Sequence, residues 1–325
     1  MFAYIVRRIV SAVCVILLAL VVSFGLFFVA PTDPAGVICG TRCTTERYAE
    51  IHKSLGLDEP LQVQLVDYVR GLFVGRTYVS AGTEIECSAP CFGYSYTLGQ
   101  PVTKLLAQAV PVTVSIVVGG AVVYLTIGLL AGTLAARRRG TAIDRAMVSA
   151  SLGIASVPYF VVALIVALYA TFLPRAEYTS LLENPVAWAT GLLAAWLTLG
   201  FANAAQYTRY SRASMIESLG EDYVRTARAK GISERKVVYK HGLRGALTPV
   251  ATIFGLDIAF QLTGAVFTEQ IFGLPGLGVL TLRAFAQFDL PVLMGAVVVG
   301  STVLVLMNLL VDLLYTYLDP RVRLT

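Results

Sequence analysis

Between Lys104 and Arg137 the chain runs for thirty-two residues without a charged side chain. At ~1.5 Å per residue a helix of about twenty residues already crosses a ~30 Å hydrocarbon layer, so this stretch reads as a transmembrane helix. Composition agrees: 57% hydrophobic, 14% charged and a mean hydropathy of +0.74 lie outside the range of soluble chains. Twenty-five Lys and Arg against 20 Asp and Glu give +5, too small and too clustered an excess for a nucleic-acid binder.

Uninterrupted apolar runs predict six spans, at residues 9–30, 111–136, 146–173, 186–206, 249–268 and 291–311. The expected fold is an all-α membrane protein with six transmembrane helices. The first run follows Arg7 and Arg8 as a signal peptide would, but its core of about twenty residues exceeds the ~7–15 of a signal h-region. Lys and Arg set the orientation: with the N-terminus inside, inner segments hold seventeen of them, Arg321 and Arg323 included, and outer segments eight. The short outer loops carry one each, Arg175 and Arg283. Both termini are therefore expected in the cytoplasm of a multi-pass protein of the cell (inner) membrane.

The expected organisation is an N-terminal end with the first span (1–30), an extracytoplasmic insertion between spans one and two (31–104), and a five-helix core (105–325) with a cytoplasmic loop at 208–248 between spans four and five. In the insertion, residues 48–57 and 61–73 have the periodicity of short amphipathic helices lying on the membrane face. The cytoplasmic loop is rich in both charges and lacks the bias of a flexible linker, so it should fold against a partner. Its segment EDYVRTARAKGISERKVVYKHGLRGALTPV splits into helix, break, helix. Glu221 and Asp222 suit the positive end of a helix dipole and Arg228 and Lys230 the negative end, while Gly231 supplies the left-handed turn that stops it. Ser233 is then expected to cap a second helix. Its apolar residues Val237, Val238 and Leu243 leave Arg235, Lys236, Lys240 and Arg244 to face lipid phosphates or an acidic partner.

The stretch from Tyr223 through Gly231 resembles the EAA loop of ABC-importer permeases, in the form found in dipeptide and oligopeptide permeases of the DppB/OppB type. LGLDEPLQVQ (55–64), SVPYF (156–160), TEQIFGLPGLG (268–278) and NLLVDLLYTYLDPRVR (308–323) resemble that group's recurring segments in the same order. Ala227 and Gly231 match the general consensus, whereas Arg225, Thr226 and Arg244 stand where it has Glu, Ala and Pro. The resemblance implies a permease subunit forming half of a passage for di- or oligopeptides. Its implied partners are a second homologous permease, two ABC ATPase subunits and an extracytoplasmic substrate-binding protein, all around a lipid bilayer. It implies no cofactor in this chain, with ATP and Mg held by the ATPases. It also implies a short coupling helix pushed as a rigid body, for which Tyr223, Ala227, Gly231, Ser233, Val237 and His241 are the candidate residues. Residues 76–96 are a longer Gly- and Cys-containing excursion than that group has, read either as a clamped hairpin reaching toward the binding protein or as a solvated loop stapled only against proteolysis.

Asp257 is the ionisable side chain expected well inside a span, where a charge costs roughly 2.5–3.5 kcal/mol on an insertion scale and must face the bundle interior or water. Gln261, Gly264 and Thr268 follow at helical spacing and would share its face. That face either lines the solute route, with Asp257 meeting a substrate ammonium or amide, or packs between helices. Pro158 should bend the third span. The GLPGLG run lies outside and lacks a following Lys, which excludes a phosphate loop. The resemblance implies a gate loop there, at Phe272, Gly273, Pro275, Gly276 and Gly278. No Gly-Lys-Ser/Thr occurs anywhere, so ATP hydrolysis is not expected of this chain.

Cys39, Cys43, Cys87 and Cys91 form an even set in the outer insertion and point to disulfides, with three connectivities open and local pairs slightly favoured; a metal site is the minor reading. No catalytic residues are expected. Asp257 and Asp312 lie at different depths and cannot share a proton, and His52 and His241 lie on opposite sides of the membrane. The competing functions are an ATP-independent secondary transporter or channel, or the same ABC architecture carrying nickel or haem.

Overall fold

The computed structural model of the chain describes residues 2–28, 33–40, 43–80 and 83–318. Residues 29–30 at the end of the first expected span, the Asp312 side chain, and Arg321 and Arg323 lie outside the described residues. The chain divides into two compact units. One holds Met1–Thr113, Leu262–Val266 and Pro275–Leu306, the other Val114–Gln261, Phe267–Leu274 and Met307–Thr325.

The first unit begins with helix α1 (Phe2–Phe28), followed by α2 (Pro34–Cys39), α3 (Thr45–Ser54) and α4 (Leu61–Val74). Side chains start the short helices: Asp33 accepts from the Gly36 N–H ahead of α2, and Thr44 accepts from the Arg47 N–H ahead of α3. The two amphipathic periods of the insertion therefore fold as the helices they predict. Four short strands come next: the first two form a hairpin where residues 76–96 are expected to hold one, and the second pair is an addition to the helical reading. β1 (Arg76–Ser80) pairs antiparallel with β2 (Thr83–Cys87), Arg76 opposite Cys87, and β3 (Tyr94–Ser95) pairs with β4 (Gln100–Pro101). Thr77, Tyr78 and Val79 in β1 and Thr83 and Ile85 in β2 are β-branched or aromatic and favour strand over helix in so short a segment. The disulfides join neighbours, Cys39 to Cys43 and Cys87 to Cys91, with Cα separations of 5.1 and 5.5 Å.

Ala35, Ile51, Tyr78, Cys91 and Tyr94 are buried with Val102, Leu277 and Val292 in one apolar cluster, so the insertion and the ends of later helices share a core. Each large side chain buried there contributes roughly 1.5–3 kcal/mol. Asp289, just before the last helix, is buried beside it and accepts a hydrogen bond from Ser95 Oγ.

The second unit is helical. α5 (Val102–Arg137) continues into it and packs along α8 (Pro185–Gly220). Small residues permit the close approach: a Cβ on Gly119 would lie 2.1 Å from Trp196, and one on Gly128 2.5 Å from the Tyr207 Cβ. α6 (Ala142–Ser156) is fastened to α8 by Arg212 Nη2, which donates to Asp144 Oδ2 at 2.8 Å. α7 (Tyr159–Tyr169) follows Pro158 at an angle of 86° to α6. The expected bend is thus a complete break, because Pro158 has no N–H to donate and its ring disfavours helical geometry at Val157.

Among the described residues five helices are long and apolar enough to span a membrane, and a sixth span results if α6 and α7 count as one. Two expected boundaries change. α8 runs on to Gly220, so residues 208–220 of the expected cytoplasmic loop continue the helix of the fourth span. Beyond the bilayer a helix can carry charges at no desolvation cost, and buried Ser211, Met215 and Ser218 keep it packed. The fifth span ends early: after α9 (Asp222–Ala229), α10 (Glu234–Lys236) runs through a π-helical turn at Val237–Gly242 into α11 (Leu243–Leu262), which stops at Leu262. Gly264 has φ +147, a backbone conformation only glycine adopts readily, and the next helix, α12, begins at Val266 (Val266–Phe272). α13 (Leu277–Ala286) and α14 (Leu290–Leu318) complete the chain.

Candidate functional site

The elbow expected on the cytoplasmic side is built from the end of α8, α9, the Gly231 turn and the start of α10. Glu221 leaves helical geometry at the end of α8 and serves as N-cap of α9. On α9, Val224 and Ala227 face inward and are buried with Val237 from beyond the turn, with Leu219 and Ile232 packed against them. Gly231 stops α9 at φ +73, its N–H donating to the Arg228 carbonyl at 2.9 Å. Ser233 stands at the expected N-cap position, but its hydroxyl makes no capping hydrogen bond. A side-chain pair closes the turn instead: Arg228 Nη2 and Nε donate to the two Glu234 carboxylate oxygens at 2.9 and 3.2 Å.

Tyr223 and His241 meet at the base of the elbow. Ser218 Oγ donates to the Gly242 carbonyl at 2.7 Å and lies 2.8 Å from Tyr223 Oη, which is 3.4 Å from the His241 carbonyl. These bonds tie α8, α9 and the π-helical turn together. A Cβ on Gly242 would come within 2.7 Å of Leu219, so the turn sits directly on α8. All six candidate coupling residues therefore lie in one substructure. Arg137, Arg235, Lys236 and Lys240 line an open basin of about 960 Å³ with Tyr239, giving the elbow a strongly positive flank.

The proposed membrane face comes apart in the structure. Asp257 and Gln261 lie one turn apart on α11, but Gly264 occupies the break and Thr268 belongs to α12. A 3.6-residue period extrapolated through a glycine that ends the helix cannot keep its face. Asp257 Oδ2 accepts a hydrogen bond from Tyr207 Oη at 2.8 Å, and the Tyr207 ring lies 4.7 Å from that of Tyr124. Thr268 is buried and hydrogen-bonded to Tyr159 Oη at 2.7 Å. Tyr207 and Tyr124 carried no sequence signal that separates them from ordinary span aromatics. Glu269, beside Thr268, is also fully buried; as an acid within TEQIF it was visible in the sequence and overlooked.

Gly273, at φ +67, ends α12 after buried Phe272, and the Leu274 N–H turns back to the Glu269 carbonyl at 2.8 Å. Pro275 is exposed and Gly276 is the N-cap residue of α13, where the Leu277 N–H donates to Thr113 Oγ1 at 2.8 Å. Gly278 approaches Gly264 so closely that a Cβ on the latter would lie 3.0 Å from its Cα. The glycine-rich run is thus the short connection between α12 and α13. Among the described residues no three of His, Cys, Asp and Glu converge as metal ligands.

Residues 1–117 match a family described as the N-terminal part of a binding-protein-dependent transport system membrane component. Residues 125–324 match the family described as binding-protein-dependent transport system inner membrane component. The chain is 38% identical over 327 residues to a probable peptide ABC transporter permease of Sinorhizobium fredii, covering 99% of this chain and 100% of that one. It is 33% identical to a di/tripeptide transport system permease of Pseudomonas aeruginosa and 31% identical to the dipeptide transport system permease of Escherichia coli, covering 99% of each chain in both comparisons. Among solved structures it shares the fold of a chain of the MetNI methionine ABC transporter in inward-facing form, with a TM-score of 0.53 at 17% identity, covering 67% of this chain and 97% of that one.

Proposed function

This chain belongs to the binding-protein-dependent transport system inner membrane components, the permease subunits of ABC importers, and from that premise we propose that it forms half of the passage of a di- or oligopeptide importer. Its permease relatives are named for peptide and dipeptide transport, which favours that cargo over nickel or haem. The other half is a second homologous permease; two ABC ATPases sit on the cytoplasmic side and a substrate-binding protein on the outer side. Both termini are cytoplasmic. ATP and Mg²⁺ belong to the ATPases, whose role is to drive the elbow of this chain.

The observation that carries the mechanism is the elbow's stiffness. A lever transmits force only if it moves as one piece, and here the Val224, Ala227 and Val237 core, the Arg228–Glu234 pair and the Ser218 hydrogen bonds brace both sides of Gly231. Closure of the ATPases against α9 is therefore passed through α8 and α11 into the membrane. Asp257 and Gln261 on α11 line the route, with Tyr207 holding the carboxylate. The turn from Phe272 to Gly278 forms its gate.

Co-purification followed by ATPase measurement with and without the binding protein is the test. Recovery of a second permease and two ATPases, with hydrolysis stimulated by the loaded binding protein, is the expected result. Solute accumulation by this polypeptide alone in liposomes would overturn the reading in favour of an ATP-independent carrier.

A further inference from the structure

Beside the start of the disulfide-clamped hairpin, three buried polar atoms have no hydrogen-bond partner among the described residues: Gln64 Oε1, Tyr68 Oη and Arg76 Nη2. All three residues line one niche of about 30 Å³, walled by Phe24, Phe92 and Met294. The Gln64 amide is oriented by its Nε2, which donates to the Glu59 carbonyl at 2.8 Å, so Oε1 is the free end. Arg76 lies over the Tyr68 ring, its Cζ 5.8 Å from the centroid. Burial pushes the Tyr68 phenol well above its ordinary pKa, with Tyr78 adding to the rise, so its hydroxyl stays protonated and able to donate.

The backbone fixes the root of this side chain. Arg76 pairs with Cys87, which is bonded to Cys91, so the first rung of the hairpin is clamped. Gly71 leaves room for the side chain, since a Cβ there would lie 2.2 Å from Arg76 Nε. Polar atoms buried without partners are costly, and a group that pairs all of them is correspondingly favoured.

Size and donor inventory narrow the occupant. A water needs about 10–15 Å³ by this measure, so the niche admits about two waters or one carboxylate group. A second cavity of about 380 Å³ shares Leu55, Gln64, Arg76 and Tyr78 with it and adds Lys53, Arg70, Glu59 and Asp67, which gives space and charges of both signs for the rest of a small ligand. Arg76 and Tyr68 offer two donors and Gln64 one acceptor. A bare anion satisfies the donors and leaves the Gln64 oxygen unpaired.

We propose that this niche binds a terminal carboxylate with an adjacent N–H, as at the C-terminus of a peptide. Arg76 Nη2 and Tyr68 Oη donate to the two carboxylate oxygens, and Gln64 Oε1 accepts the N–H. The site rests on the cavity; the identification of peptide as its source rests on the proposed function. The permease thereby gains an outer station of its own for cargo.

The test uses the purified full-length chain in lipid nanodiscs without ATPases, titrated calorimetrically with L-alanyl-L-alanine, its C-terminal amide and sodium chloride. The dipeptide should bind and the amide should bind about tenfold more weakly. Tyr68→Phe and Arg76→Gln should each weaken the dipeptide about tenfold, with Tyr68→Phe leaving the melting temperature unchanged. Equal binding of dipeptide and amide, heat from chloride alone, undiminished binding by Tyr68→Phe, or no binding at all, as for a niche filled by water, would each overturn the proposal. Because binding is read on the isolated chain, it can fail while ATPase coupling in the assembly stands, and the reverse.

Discussion

Arg228 grips Glu234 through two hydrogen bonds across the Gly231 turn, 2.9 and 3.2 Å long, so that a side-chain clasp bridges the one left-handed residue of the elbow. The clasp is partly solvated, with the two side chains 41% and 52% exposed. Its contribution to stability is therefore small, and the geometry of the turn falls to the glycine.

Gly231→Val should uncouple ATP hydrolysis from uptake while the protein still inserts. A Cβ at this position meets nothing within 4 Å, so the penalty is conformational, roughly 1 kcal/mol or more for holding a β-branched residue at φ +73. Gly231→Asn, which tolerates that region, should retain most of the coupling. ATPase and uptake rates measured together in proteoliposomes check both variants; normal coupling in the valine variant would remove the elbow from the mechanism.

Arg228→Ala and Glu234→Ala should each change stability by no more than about 0.5 kcal/mol, because an exposed pair is screened by water and salt. A double-mutant cycle on melting temperature measures the coupling, and it should shrink further at high salt.

Asp257→Ala should lower the yield of folded protein, since it strands the Tyr207 hydroxyl among buried rings at a cost of roughly 1–3 kcal/mol. Adding Tyr207→Phe should restore the yield by removing both partners. Uptake should remain impaired in the double variant if Asp257 lines the route. Full recovery of uptake would reduce the pair to a packing contact.

Asp289 gives a pH signature. Burial raises its carboxyl above the ordinary range, against the opposing effect of hydrogen bonds from Ser95, the Val292 backbone and Thr97. The folded state then binds the proton more tightly than the unfolded state, so ionisation costs stability as pH rises through the folded pKa. The stability of wild type relative to Asp289→Asn, followed by melting temperature, should improve as pH falls from neutral toward the ordinary carboxylate range. Ser95→Ala should widen the effect by removing one donor to the ionised form.

Where the sequence spoke through charge and apolar length, it could be read directly. The uncharged run after Lys104 became α5, and the break at Gly231 fell where charge pattern and glycine coincide. The cysteine spacing leaves three pairings open and slightly favours the local one, which is the pairing formed. The face drawn through Asp257, Gln261, Gly264 and Thr268 failed because a glycine suits a packed helix and a helix end equally well, and only its φ of +147 distinguishes them. Tyr207 and Arg76 were illegible for a different reason. Their significance lies in partners fifty residues away or in a cavity, neither of which leaves a periodic trace.

The right-angled corner at Pro158 has a social consequence. Fifteen residues before it and eleven after it are each too short to cross hydrocarbon at about 1.5 Å per residue, and residues 152–158 are exposed on this chain. Lipid does not solvate a naked peptide unit. That corner calls for company: a neighbouring polypeptide, a second copy included, or water reaching it from the membrane surface.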